Sequence, residues 1–96
     1  MKYFHRTSLP PDRVLEVARQ FFGTRLTPAE ETERRLAYRG TIGKVGVSTG
    51  PEGGHYTLVE VETDQVGESE LDKLAKRFLG EVHRRVEPDH VIRGAY

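Results

Sequence analysis

Residues 40–54 read GTIGKVGVSTGPEGG and hold six of the chain's ten glycines. They form either a glycine-rich functional loop or a strand entering a tight turn, and the rest of the fold depends on which. Val45, Val47 and Thr49 alternate with Lys44, Gly46 and Ser48, the two-residue period of a strand. Gly50-Pro51-Glu52-Gly53-Gly54 is turn chemistry. Residues 55–64, HYTLVEVETD, make the clearest strand, with Thr57, Val59, Val61 and Thr63 on one face and Glu60 and Glu62 on the other. Lys44 and arginines of neighbouring strands can pair with those glutamates across a sheet. The stretch is read as a strand and its turn.

Three motifs overlap in these residues, and each lacks the context its chemistry requires. Ile42-Gly43-Lys44-Val45-Gly46 is similar to the loop with which KH domains clamp a nucleic-acid backbone. That loop leads into a helix whose N-terminus faces phosphate, whereas here an extended segment follows. Gly46-Val47-Ser48-Thr49-Gly50 matches the G-x-S-x-G elbow of serine hydrolases, which needs a helix after the serine and a large α/β sheet. Pro51 and two glycines follow Ser48 instead, and no histidine is spaced to serve it. A P-loop fails on spacing, since Gly40 stands three residues before Gly43 and valine follows Lys44. No catalytic residue is assigned. His5, His55, His83 and His90 are scattered without the i,i+4 helical pair of a zinc protease, so no metal and no cofactor are expected.

Outward from this hairpin, residues 2–9 (KYFHRTSL) favour a first strand. Pro10-Pro11-Asp12 opens a helix, because proline in the first turn gives up an N–H that has no partner there, and aspartate faces the positive end of the helix dipole. Val14, Val17, Ala18 and Phe21, widened by Leu15 and Phe22, form its apolar stripe up to Gly23. Residues 27–39 carry two patterns. Thr27-Pro28-Ala29-Glu30 is a capping box, while Thr32, Arg34, Leu36 and Tyr38 alternate with Glu33, Arg35, Ala37 and Arg39. A helix there has no continuous apolar stripe to bury, so the reading is a helical turn over 28–31 and a strand over 33–40. The best helix opens at Ser69-Glu70-Leu71-Asp72, with Leu71, Leu74, Ala75, Phe78, Leu79, Val82 and Val86 on one stripe, and stops at Glu87-Pro88. The tail HVIRGAY is read as a short edge strand or a frayed end.

Ninety-six residues make one domain, spanning 1–96. The order β-α-β-β-β-α makes an α+β two-layer sandwich, an antiparallel sheet with both helices on one face. Only 35% of residues are apolar and 31% are charged, which favours further burial in a dimer. Without cysteine, disulfides, thiolate metal sites and thiol nucleophiles are excluded. The N-terminal MKYFHRTSLPPDR lacks a signal-peptide run and no segment is apolar enough to span a membrane, so a cytoplasmic protein is expected. Fifteen basic and fifteen acidic residues cancel, which argues against nucleic acid as the main partner. Arg34, Arg35, Arg77, Arg84 and Arg85 have acidic neighbours at pairing distance and read as a salt-bridged surface. Eleven arginines against four lysines, with no asparagine and one methionine, suit either a heat-adapted protein or a GC-rich genome.

The segments HRTSLPPDRVLEVARQFF, GGHYTLVEVETD and LDKLAKRFLGEVHRRV follow an order that resembles the helix-grip (START-like, SRPBCC) domains in a shortened form. That resemblance implies an apolar ligand cavity between the sheet and the C-terminal helix, lined by Tyr38, Val47, Val59, Leu74 and Phe78. The shortened order is also similar to one half of a TATA-binding-protein-type saddle, a fold that pairs two such halves. The leading expectation is a non-catalytic binding module for a small apolar molecule or a protein partner. It would act as a homodimer formed through edge strands or through the open sheet face at Gly46, Ser48, Tyr56 and Leu58. The second expectation is a nucleic-acid-associated protein using that open face, marked by arginines gathered there. The third is a small hydrolase-like enzyme.

Overall fold

A first strand at one edge of the sheet, a helix that carries the chain beneath it, and a meander back from the opposite edge make up the architecture. In the computed structural model the elements are β1 (Lys2–Thr7), α1 (Pro11–Phe22), β2 (Thr27–Glu31), β3 (Arg35–Gly40), β4 (Gly43–Glu52), β5 (Tyr56–Thr63) and α2 (Glu70–Gly94). The structure describes the backbone of residues 1–94 and the side chains through Val86. The sheet order is β1-β5-β4-β3-β2, with every neighbouring pair antiparallel. Both helices lie on one face, as the α+β reading expected.

That face is filled from both sides. Leu36, Tyr38, Val45, Val47, Val59 and Val61 project from the sheet, and Val14, Phe22, Leu71, Ala75, Phe78 and Val82 meet them from the helices, all at 4% exposure or less. Phe21, Phe22 and Phe78 form a ring cluster, with Phe78 centred 6.0 Å from Phe21 and 5.2 Å from Phe22. Tyr38 stacks on Phe22 at 5.9 Å.

Three expectations need correction. Residues 28–31 are not a helical turn but belong to β2, paired to β3 from Thr27↔Arg39 to Glu31↔Leu36 with a bulge between Pro28 and Glu30. A helix there would bury nothing, whereas β3 offers a ladder of hydrogen-bonding groups, and pairing outweighs a favourable capping sequence. Gly50-Pro51-Glu52 is not turn but the end of β4, and the reversal falls on Gly53 and Gly54, both at positive φ (62° and 80°). Thr49 N–H points toward β3, bonding Arg34 carbonyl at 3.0 Å. Pro51, two residues on, faces the same way past the end of β3, where its missing N–H costs nothing. Finally, α2 continues past Pro88 to Gly94, so residues 90–94 are helical rather than an edge strand, and the last two residues of the tail lie outside the described residues. A proline removes one helical hydrogen bond without abolishing those on either side.

The start of α2 is anchored by a buried carboxylate. Ser69 caps the helix, its Oγ accepting from Asp72 N–H at 3.1 Å. Asp72 replaces the usual glutamate of the box, and its carboxylate turns inward at 0% exposure. There it accepts from Tyr3 (2.5 Å), Thr63 (2.5 Å) and Ser69 (3.2 Å) hydroxyls. Burial would raise its pKa, but the hydrogen bonds from Thr63, Tyr3 and Ser69 outweigh burial and hold the carboxyl below the usual carboxylate range. The Tyr3 phenol is pushed up to about 12, first by its bond to Asp72 and then by burial. One side chain thus ties β1, β5 and α2 together.

Candidate interaction surface

The uncovered face of the sheet can be read off the register. Glu30, Ala37, Gly46, Glu62 and Lys2 lie in one row across all five strands. Arg35, Ser48, Glu60 and Phe4 form the next row, then Gly50, Leu58 and Arg6, then Glu52 and Tyr56. All four residues expected at a dimer interface (Gly46, Ser48, Tyr56 and Leu58) therefore stand on this face, because alternation sends every second residue outward.

Arg35 organises the centre. Its Nη1 donates to Ser48 Oγ at 2.7 Å and its Nε lies 3.5 Å from Glu30 Oε1. The guanidinium lies over Gly46, where any Cβ would overlap it. Gly46 is buried for that reason. Lys2 Nζ reaches Glu60 at 3.9 Å, and the Arg6 guanidinium sits 5.5 Å from the Tyr56 ring centre. A shallow depression of about 470 Å³ runs over Ala37 and Gly46 between Arg39 and Glu62. Five basic side chains on this side (Lys2, Arg6, Arg35, Arg39 and Lys44) meet five acidic ones (Glu30, Glu52, Glu60, Glu62 and Asp64). Arginines are not gathered there against a bare background.

The residues expected to line a ligand cavity lie elsewhere. Tyr38, Val47, Val59 and Phe78 belong to the core cluster, and Leu74 packs half-buried against it. Burial raises the Tyr38 phenol above its ordinary pKa. Ser48 shares its face with no described histidine. His5 points to the helical side, its ring 6.0 Å from that of His83, and its pKa is lowered by burial and by His83. His55 sits in the β4–β5 turn. Among the described residues no cluster of three or more His, Asp or Glu side chains could hold a metal.

The two sheet edges differ sharply. β2 is exposed along its whole length but carries Pro28, a bulge and two glutamates, Glu30 paired to Arg35 and Glu31 to Arg19 at 3.4 Å. Such features block pairing with another strand. β1 carries neither proline nor bulge, and its two charges, Lys2 and Arg6, are drawn to Glu60 and to the Tyr56 ring. Met1 and Thr63 exchange backbone bonds of 3.0 and 2.8 Å. Antiparallel alternation then turns Tyr3, His5 and Thr7 toward β5 and aims the N–H and C=O groups of Lys2, Phe4 and Arg6 outward. Phe4 stands at 58% exposure beside this edge. Sequence reasoning gave Phe4 no role, although an aromatic ring between Lys2 and Arg6 on the polar side of an alternating strand was the available signal.

No family model, curated protein or solved structure matches this chain. No described helix is long and apolar enough to cross a membrane.

Proposed function

We propose that this protein is a non-catalytic, cytoplasmic binding module whose working form is a homodimer, joined by two-fold pairing of β1 with β1 of a second copy. The bare β1 edge carries this reading. Three residues present unpaired backbone groups there, with Lys2 and Arg6 drawn to Glu60 and Tyr56, while the opposite edge is blocked by a proline and a bulge as well as charge. Closed two-fold dimers are the commonest assembly of soluble chains. A register that sets Phe4 of one copy opposite Arg6 of the other brings a guanidinium to a ring and keeps Lys2 and Arg6 from facing each other. Face-to-face association is disfavoured, because it would bury Arg35 and several glutamates against their own kind. The half-saddle likeness, in which two such units lie side by side, points the same way.

The joined sheets present a ten-stranded outer face of alternating charge with Phe4 and Leu58 near its centre, chemistry suited to a protein partner. Ser48, engaged by Arg35 and with no described histidine on its face, supports binding rather than hydrolysis. Light scattering at micromolar concentration tests the assembly. The expected mass is twice the 10.9 kDa of the chain. Arg6→Pro deletes one outward N–H and should give a folded monomer. A monomeric wild-type protein, or an Arg6→Pro variant that still dimerises, defeats the edge-pairing proposal.

A further inference from the structure

The balanced charge of the chain conceals one unbalanced place, and it lies on the helical side. A groove of about 400 Å³ runs between α1 and α2, walled by Arg25, Arg77, Arg84 and Arg85 and containing, among the described residues, a single carboxylate, Glu81. Arg25 comes from the turn after α1 and the other three from one side of α2. Each is positioned by a specific contact. Arg25 and Arg77 lie over the Phe21 ring, 4.1 and 5.9 Å from its centre. Arg25 Nη1 also donates to the Phe21 carbonyl at 2.5 Å, so that oxygen does not confront an anion unpaired. Arg85 Nη2 donates to Gln20 Oε1 at 3.1 Å, and Arg84 Nη2 meets Glu81 at 3.1 Å.

A guanidinium carries five N–H donors in a planar fork. These contacts occupy only one or two donors on each arginine, and Arg77 has no carboxylate partner among the described residues. We propose that this groove binds a small molecule bearing two or more phosphate groups. Arginine forks match phosphate oxygens in bidentate geometry, and stacking on Phe21 pre-orders two of them. Arg77 and Arg84 stand seven residues apart on α2, about 10 Å along its axis, so one phosphate cannot reach both ends and a chain of phosphates can. The volume suits a small ligand. A duplex needs an extended basic surface, whereas the surroundings here are acid–base pairs such as Arg13–Glu16 and Arg19–Glu31.

The test titrates the protein with inorganic pyrophosphate at fixed ionic strength, followed by amide NMR shifts. Saturable shifts confined to residues 20–25 and 77–85 are expected, with orthophosphate at least about tenfold weaker. Arg77→Gln combined with Arg85→Gln should weaken pyrophosphate by about tenfold or more while leaving the melting temperature of the free protein unchanged. Should those exposed substitutions unfold the chain, Arg25→Gln supplies the same comparison from the other wall. Shifts that fail to saturate, or that survive either variant undiminished, overturn the proposal. So does a short DNA duplex that binds more tightly than pyrophosphate and is lost in the same variants, which would make the groove a nucleic-acid site. The dimer is read by mass at β1, so either proposal can fail without the other.

Discussion

Val47 and Ser48 are consecutive in β4. One is fully buried against the helices, while the other stands on the uncovered side and takes a hydrogen bond from Arg35. The whole sheet repeats that contrast. On the covered side, stability comes from volume: fully burying a valine or phenylalanine is worth roughly 1.5–3 kcal/mol, and the rings of Phe21, Phe22 and Phe78 leave little freedom to substitute. On the uncovered side, the contacts are partly exposed ion pairs and one glycine roofed by an arginine, where each pair contributes about 0–1 kcal/mol. The fold therefore rests on one face, and the other is under little packing constraint.

The sharpest way to break this contrast is Phe78→Ala. The ring sits at 0% exposure in the aromatic cluster, so its loss should cost about 3–5 kcal/mol in urea unfolding. An unchanged midpoint would mean that α2 does not hold the sheet.

Next in size is Asp72→Ala, which strands the Tyr3 and Thr63 hydroxyls and should cost about 2–4 kcal/mol. It also sharpens the contrast through pH. The folded Asp72 carboxyl lies below its unfolded value, so its contribution is full above about pH 4 and is lost as pH falls through the folded pKa. His5 adds to acid sensitivity, because its lowered pKa means the unfolded chain takes up a proton more readily below about pH 6.5. Urea midpoints measured from pH 7 down to pH 3 should fall in the wild type. In Asp72→Ala the decline below pH 4 should flatten, and an identical acid slope in both proteins would remove Asp72 from this role.

The smallest effect is expected from Ser48→Ala on the uncovered face, within about 0.5 kcal/mol of wild type. Arg35 keeps Glu30 as a partner when the hydroxyl is gone. A loss comparable to that of Asp72→Ala would show that the outer face is as constrained as the inner one. Labelling of Ser48 by a fluorophosphonate would instead reveal a nucleophile.

How legible each part was depended on whether its signal was local. Glycine alternation placed Gly46 and Ser48 outward, and HYTLVEVETD declared its inward valines, because a strand buried on one face must alternate. The open face could therefore be assigned to Tyr56 and Leu58 without coordinates. The arginines of α2 were legible only as charges with acidic neighbours. Arg84 does pair with Glu81, but Arg85 bonds Gln20, sixty-five residues away, and Arg77 lies over Phe21 of the other helix.

The amino-acid sequence by itself determined β1, β3, β4, β5 and the two helices, and the buried side of β4, β5 and both helices, since periods of two and of three to four residues are imposed by backbone geometry alone. Tertiary structure decided the rest. TPAEE became β2 because β3 offered it a hydrogen-bonding partner, although no residue of it is buried. The crossing of α1 put β1 at one edge and β2 at the other, so that the guarded strand and the bare one ended up on opposite sides of the sheet. The arginine groove arose when α1 and α2 packed side by side, since a site shared by two helices exists only once long-range burial has set their distance.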